Sequence, residues 1–324
     1  METTTLAVFA IILIVGISSD LYAHKGCKEI SFKDATVWSI IWVLLSVIFG
    51  GYVASVEGTD KAHLFFTGYL LEKALSVDNL FVFMAIFAWF KIPNNLAHRV
   101  LYWGILGAIV FRLIFVVLGT TIMGFSHWVE VFFGLIVIWS GYKLLVTKES
   151  EEEDYSKNIA YIWAKKFIPV TSQLHGDQFF IKDKVVDSTK YPKLNCINNT
   201  YWCATPLFLC LIIIELSDIL FAFDSVPAIL AVTKDPTIVW PAMILAMCGL
   251  RTMYFMLDNL KELFVYLEKG VILILFFIGS KLIINSVDEM FQTGYNIHND
   301  VSLLVVSTTL LGSILLSVIR KNAA

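Results

Sequence analysis

Apolar positions along this chain form long unbroken runs. The runs cover residues 4–22, 36–55, 64–90, 99–122, 128–147, 203–232, 237–257, 267–287 and 300–319. Most are at least about 18 residues long, which is the length that crosses a bilayer as an α-helix. Apolar and polar residues do not alternate with period two, which argues against a membrane β-barrel. The pattern predicts an all-α integral membrane protein with about nine transmembrane helices.

Composition supports this prediction and excludes ordinary soluble classes. Hydrophobic residues make up 58% of the chain and charged residues only 16%, too few polar side chains to cover a soluble domain. The first apolar run lacks a basic segment before it and a small-residue cleavage site after it, so we expect a retained span and not a signal peptide. The five cysteines form no C-x-x-C pair, so we expect neither a disulfide framework nor a thiolate metal site.

Basic residues predict the orientation in the membrane. If the N-terminus is outside, the inner loops hold sixteen Lys and Arg residues and the outer loops hold two. Basic residues concentrate on the cytoplasmic side of membrane proteins. We therefore predict a multi-pass protein of the cell (inner) membrane, with the N-terminus outside and the C-terminus cytoplasmic.

Four landmarks recur in the same order in the two halves of the chain. The offsets between the copies are 140, 139, 138 and 138 residues. The landmarks are the D-x-L-F-x-F segments 78–83 and 218–223, the lone arginines Arg112 and Arg251, the glutamates Glu130 and Glu268 near the start of a span, and the G-x-K-L segments 141–144 and 279–282. Each copy contains three spans, and an odd number makes consecutive copies insert in opposite orientations. The sequence thus predicts an inverted repeat of three helices, an architecture of secondary transporters.

The repeat divides the chain into five parts. These are two N-terminal transmembrane helices (1–60), the first three-helix repeat (61–147), a cytoplasmic loop (148–202), the second three-helix repeat (203–288) and a C-terminal transmembrane helix (289–324). Within the loop, Phe179–Val186 is predicted to form a small hairpin. Lys143 and Lys281 lie near span ends, so their amines are expected to reach the lipid headgroups.

Charged residues inside the predicted spans are the candidates for function, because a charge at the bilayer centre costs ~2.5–3.5 kcal/mol on insertion scales. The candidate metal ligands are Glu72, Asp78, Asn79, Glu215, Asp218 and Asp224. The candidate supporting residues are Lys73, Ser76, Arg112, Ser217, Ser225 and Arg251. Five carboxylates against three bases leave an acidic excess. None of the six histidines lies in mid-span, so the donors are all oxygen, which suits Mg²⁺, Ca²⁺ or Mn²⁺.

Helical spacing groups these candidates. Glu72, Ser76 and Asn79 share one helix face, and Glu215 and Asp218 share another. Asp224 falls off the second face if that helix is straight, although Pro227 could kink or break it. A purely structural alternative also stands: Glu72 or Asp78 could pair with Arg112, and Asp218 with Arg251, to link helices.

Two acidic segments carry a family resemblance. Residues 72–83 resemble the first signature of the TerC family, named for tellurium resistance, and residues 204–229 resemble the second. The similarity runs from about residue 30 to 320 and implies membership of the LysE-like transporter superfamily. It also implies a role in metal-ion homeostasis, with manganese export as the expected activity. The acidic residues that correspond to those of the family are Glu72, Asp78, Glu215, Asp218 and Asp224.

The main hypothesis is a secondary transporter that exports manganese. Mn²⁺, or another hard divalent cation, is the expected transported ion, and we expect no tightly bound cofactor and no nucleic-acid partner. The chain has no G-x-x-x-x-G-K-[ST] segment, so ATP drive within it is unsupported. Moving a divalent cation out against an inside-negative potential costs ~4.6 kcal/mol per 100 mV, so some coupling is needed, and proton exchange is the simplest.

Two alternatives belong to other classes. One is a non-transporting membrane scaffold in a metal or tellurite stress-response complex, which would bind cytoplasmic partners through residues 148–202. The other is a membrane enzyme, which we rank last because no Ser/His or Cys/His set lies near a span centre. We therefore expect no enzymatic activity, and a lipid bilayer and a divalent metal ion as partners.

Overall fold

The structure is a computed structural model, and it describes residues 2–23, 31–146, 170–171, 174–183, 201–260 and 266–323. These residues form ten α-helices and two short strands. In chain order they are α1 (Glu2–Ala23), α2 (Phe32–Val56), α3 (Thr59–Trp89), α4 (Asn94–Met123), α5 (His127–Val146), β1 (Phe180–Asp183), β2 (Tyr201–Ala204), α6 (Pro206–Leu230), α7 (Pro236–Cys248), α8 (Leu250–Leu260), α9 (Leu267–Phe291) and α10 (Asn299–Ala323).

The all-α membrane class predicted from the apolar runs is confirmed. Seven segments of the described chain are helical, long and apolar enough to cross a bilayer: Phe32–Val56, Asn94–Met123, His127–Val146, Pro206–Leu230, Pro236–Met256, Leu267–Phe291 and Asn299–Arg320. Two further helices complete the predicted nine. The apolar part of α1 is shorter, Thr4–Asp20. Helix α3 has 31 residues but carries Glu72, Lys73 and Asp78 in its middle.

The predicted span 237–257 consists of two helices that meet at Gly249. Lys73 of α3 donates a hydrogen bond to the carbonyl oxygen of Ala246, in the last turn of α7, at 3.0 Å. Carbonyls in the last turn of a helix lack helical donors, and a cation there is favourable. A Cβ at Gly249 would lie only 2.8 Å from Lys73 Nζ, so the glycine leaves the amine its space. The break therefore depends on both residues.

The helix packing agrees with the predicted inverted repeat. Helix α3 packs along α7 as α6 packs along α4, and α5 packs along α9. Gly134 and Gly279 meet where α5 crosses α9, because a Cβ at Gly279 would lie 2.8 Å from the carbonyl oxygen of Gly134. With the repeat offset of 138 residues, Gly134 corresponds to Ile272 and Gly279 corresponds to Gly141. A Cβ at Gly141 would lie 3.6 Å from the carbonyl oxygen of Ile272, as a twofold relation between the copies requires.

Ion pairs connect helix ends at the end of the bundle where α1, α3, α5 and α7 begin, here called the Glu130 end after Glu130 in the first turn of α5. Lys61, at the start of α3, lies 2.7 Å from Glu57 and 2.9 Å from Asp235. The hydrogen bond from Lys61 lowers the pKa of the Glu57 carboxyl below its ordinary value. Thr5 of α1 also donates to Glu57. Because α1 begins here and the nine spans alternate in direction, with α7 and α8 together forming one span, α10 ends at the opposite end.

The segment between α5 and α6 contains a small antiparallel sheet. Strand β1 pairs with β2, with Phe180 opposite Ala204. The predicted hairpin within Phe179–Val186 is therefore wrong, because the partner strand lies some twenty residues later and takes up the backbone groups of β1. Residues 147–169, 172–173 and 184–200 lie outside the described residues, so the role of 148–202 as a partner surface stays a prediction.

The expectation that Lys281 reaches the lipid headgroups is wrong. Its side chain is 2% exposed and lies between α9 and α10. The amine donates to Asn299 Oδ1 at 2.9 Å and to Ser302 Oγ at 2.8 Å. Helix α10 supplies these acceptors, so the amine is satisfied without extending to water.

Candidate ion site between the two repeats

Arg112 links the two copies of the repeat in the interior of the bundle. It lies on α4 and is 2% exposed. Its guanidinium contacts Glu72 of α3 through Nη1, and its Nη2 lies 3.3 Å from Asp218 Oδ1 of α6. The predicted alternative of a Glu72–Arg112 pair is thus observed. The alternative of an Asp218–Arg251 pair is wrong, since Asp218 takes Arg112 and Arg251 lies elsewhere.

Two carboxylates share this one guanidinium, and some of their oxygens accept no hydrogen bond from the described residues. Within the described residues, Glu72 Oε2, Asp218 Oδ2 and Glu215 Oε2 are buried without a hydrogen-bond partner. The hydroxyls of Ser76 and Ser225 are buried in the same condition. Buried polar atoms in native proteins are nearly always paired, so each such oxygen calls for an explanation. A bound cation would satisfy the carboxylate oxygens.

Glu215 lies one helical turn from Asp218 and faces the same neighbour, α4. Its carboxylate occupies the space where a side chain at position 107 would be, because a Cβ on Gly107 would overlap both of its oxygens. Gly107 was not among the residues predicted from the sequence. A glycine in an apolar run gives no chemical signal, and the only indication in the sequence was that Gly107 lies five residues before Arg112 on the same helix.

Asp224 does not join this group. Helix α6 continues through Pro227 to Leu230, so the proline does not break it. Six residues beyond Asp218, the side chain of Asp224 points about 240° around the helix. Its carboxylate accepts a hydrogen bond from Ser140 of α5 at 2.7 Å. The prediction of one site that includes Asp224 is therefore wrong in this arrangement.

The remaining candidates divide between the site and its surroundings. Asn79 is 7% exposed and Ser76 fully buried on α3, and Ser217 on α6 is half-buried. Asp78 belongs to α3, but its side chain lies outside the described residues. Lys73, as described above, bonds the end of α7. The structure thus brings Glu72, Asp218 and Arg112 into contact, and places Glu215 beside Asp218.

Comparison with known proteins identifies the family. The model of the Integral membrane protein TerC family matches residues 57–324. This chain belongs to the TerC family. A tellurium resistance protein TerC of Serratia marcescens is 46% identical over 98% of this chain and 94% of its own length. Another, of an Alcaligenes species, is 45% identical over 97% of this chain and 93% of its own length.

A third relative of this TerC-family chain has a different name. It is the "Putative membrane-bound redox modulator Alx" of Photorhabdus laumondii subsp. laumondii, 41% identical over 85% of this chain and 84% of its own length. No solved structure matches the chain.

The TerC model begins at residue 57, so α1 and all of α2 precede the matched region. Helix α1 nevertheless supplies a partner for the second repeat arginine. Arg251 Nη2 pairs with Asp20 of α1, and its Nη1 lies 3.0 Å from His98 Nε2 of α4. The sequence places His98 in a loop or near a span end, and Asp20, inside the first apolar run, was not among the predicted site residues. A buried arginine requires a counter-charge, and that requirement was the available signal.

Proposed function

We propose that this TerC-family protein transports divalent metal ions across the membrane, as a secondary transporter that exports manganese. The observation that carries the proposal is the shared guanidinium of Arg112. Glu72 and Asp218 are both buried against it, and oxygens of both acids have no donor among the described residues. Uncompensated carboxylates inside membrane helices mark ion or proton pathways.

The chemistry of the donors supports a hard divalent cation. Carboxylate and hydroxyl oxygens are suitable ligands for Mn²⁺ and Mg²⁺. An incoming cation would compete with the Arg112 guanidinium for Glu72 and Asp218. Because the two acids belong to different copies of the repeat, an ion held between them would join the two halves that move relative to each other in inverted-repeat transporters.

Proton exchange is the simplest coupling for such a site. A proton and a metal ion compete for the same carboxylate oxygens, so loading one releases the other. Export of Mn²⁺ against an inside-negative potential could then draw on protons that enter. We further propose that the protein lies in the cell (inner) membrane with its N-terminus outside, as the distribution of basic residues indicates.

Flux measured with purified protein tests the proposal. Proteoliposomes that contain a Mn²⁺-quenched dye should show uptake with the unmodified protein, and Asp218→Asn should reduce it to the level of empty liposomes. The asparagine keeps the shape and one oxygen but removes the charge. Asp60→Asn is the matched control, because Asp60 is exposed at the start of α3. Equal flux from Asp218→Asn and the unmodified protein would overturn the proposal.

The names of the relatives refer to tellurium resistance and redox modulation. The described cysteines, Cys203, Cys210 and Cys248, are all buried, so the geometry supports ion transport better than thiol exchange. The scaffold alternative predicts a different outcome: tellurite resistance would survive Asp218→Asn, and no flux would occur in liposomes.

A further inference from the structure

A second group of metal-ligating side chains lies at the Glu130 end, far along the helices from Arg112. His127 and Glu130 are in the first turn of α5, and Glu289 is in the last turn of α9. His127 Nδ1 lies 3.3 Å from Glu130 Oε1 and 3.1 Å from Glu289 Oε2. One ligand atom from each residue lies within 4.8 Å of the others.

These separations match those within a coordination shell. Metal–ligand bonds of about 2.0–2.2 Å to nitrogen and carboxylate oxygen place neighbouring ligand atoms about 3.0–3.5 Å apart. The imidazole nitrogen already has both carboxylates at that spacing. His127 is 47% and Glu289 52% exposed, whereas Glu130 is 6% exposed. The group thus combines one buried anionic ligand with two ligands that water, and a hydrated ion, can reach.

Glu130 is held in place from two further sides. Ser286 of α9 donates to its Oε2 at 3.0 Å. Lys234, in the turn between α6 and α7, lies 2.6 Å from its Oε1, the oxygen that also faces His127. The Lys234 ammonium would therefore compete with a metal cation for the same oxygen, Glu130 Oε1. The two carboxylates outnumber the one ammonium, which leaves a negative charge that attracts a cation.

We propose that His127, Glu130 and Glu289 form a binding site for a divalent transition-metal ion, separate from the site on Arg112. The imidazole nitrogen distinguishes the two. Nitrogen donors favour Zn²⁺ and similar ions, while Mg²⁺ and Ca²⁺ prefer oxygen. We therefore expect Zn²⁺ to bind here more tightly than Mn²⁺, and excess Ca²⁺ not to displace it.

Occupation of this site has a structural consequence. The metal ion takes Glu130 Oε1 and repels the ammonium of Lys234, so the contact between α5 and the α6–α7 turn is lost. The same ion joins α5 to α9, one helix from each copy of the repeat. At this end of the bundle, metal binding thus replaces the contact between α5 and the α6–α7 turn with a metal link between α5 and α9.

Titration calorimetry with ZnCl₂ on chelator-treated, full-length protein tests the proposal. The protein should carry Asp218→Asn, so that the outcome does not depend on the Arg112 site. Glu289→Gln should weaken Zn²⁺ binding by more than about tenfold, since loss even of an indirect metal contact costs that much. Glu289 is exposed, so this change leaves the fold intact. His127→Ala should act in the same direction.

The control and the competing cation sharpen the test. His63→Ala is the matched control, because His63 is a partly exposed histidine at the same end that pairs with one carboxylate, Asp300. It should bind Zn²⁺ like the parent protein. Lys234→Met should tighten binding, because the competing ammonium is gone. Unchanged Zn²⁺ affinity in both Glu289→Gln and His127→Ala, or equal weakening in His63→Ala, would overturn the proposal.

Discussion

At the scale of single residues, the distribution of charge around Arg112 is the central feature. One guanidinium compensates two buried acids from different helices. Charges taken out of water need such partners, and removal of one partner leaves an uncompensated charge that costs more than the pair contributes. The network is therefore sensitive to the loss of its single cation and tolerant of the joint loss of opposite charges.

Arg112→Gln should lower the stability of the folded protein by about 3–5 kcal/mol, the cost of breaking a buried pair. Thermal unfolding in detergent measures it. The double variant with Glu72→Gln should recover part of the loss, because it removes the charge left unpaired. Arg99→Gln is the control on the same helix: Arg99 is 40% exposed and pairs with Asp177 at the surface. A similar shift in both arginine variants would contradict this account.

Gly107 offers a test of the site that leaves every charge in place. Gly107→Ala puts a methyl group where the Glu215 carboxylate lies, so the acid must leave its present position. We expect manganese flux to fall strongly while the protein remains folded. Gly312→Ala is the matched change, since a Cβ there meets nothing within 4 Å, and it should keep full flux. Undiminished flux from Gly107→Ala would exclude a role for the position of Glu215.

At the scale of elements, the crossing of α5 and α9 joins the two copies most closely. Glycines let the two backbones approach at Gly134 and Gly279, as small residues do between membrane helices. The crossing has a repeat-related counterpart at Gly141 and Ile272, but the contact there is looser. A Cβ at Gly141 would lie 3.6 Å from the carbonyl oxygen of Ile272, whereas a Cβ at Gly279 would lie 2.8 Å from that of Gly134. The two crossings therefore have the same arrangement, but the helices approach each other more closely at Gly134 and Gly279.

This difference predicts unequal effects of the same substitution. Gly279→Ala forces a methyl group against a backbone oxygen that cannot move aside, so we expect a loss of about 1–3 kcal/mol from overpacking. Gly141→Ala should cost clearly less, because its nearest neighbour is the Cβ of Leu275 at 3.3 Å. Unfolding temperatures of the two purified variants provide the comparison. Equal destabilisation would mean that both crossings are equally tight.

At the scale of the whole molecule, the sequence predicted the architecture better than the contacts. Apolar runs and the repeat landmarks were sufficient for the membrane class and the helix order, because both depend on length and spacing. They did not predict that Arg112 would take both Glu72 and Asp218, since partner choice depends on how helices rotate. Likewise, Asp20 lies inside the first apolar run and was not among the predicted site residues. Only the packing of α1 against α7, next to Arg251 at the start of α8, reveals it as the counter-ion of Arg251.

Orientation in the membrane is a prediction at this same scale. Asp60 lies at the Glu130 end and Asp177 at the opposite end, and both are exposed. In a background without native cysteines, Asp60→Cys should react with an impermeant thiol reagent added to intact cells. Asp177→Cys should react only after the membrane is opened. The reverse pattern would place the N-terminus in the cytoplasm.

In the proposed transporter, the unequal partners of the two repeat arginines would make the two access states differ in energy. A perfectly symmetric inverted repeat would have two access states of equal energy, interconverted when the copies exchange conformations. Here Arg112 binds acids of both copies, whereas Arg251 binds Asp20 of α1, a helix that lies outside both copies of the predicted repeat. When the two copies exchange conformations, α1 does not change places, so the Asp20–Arg251 pair has no equivalent in the other state. For a transporter built this way, the resting protein favours one side of the membrane before any ion or proton binds.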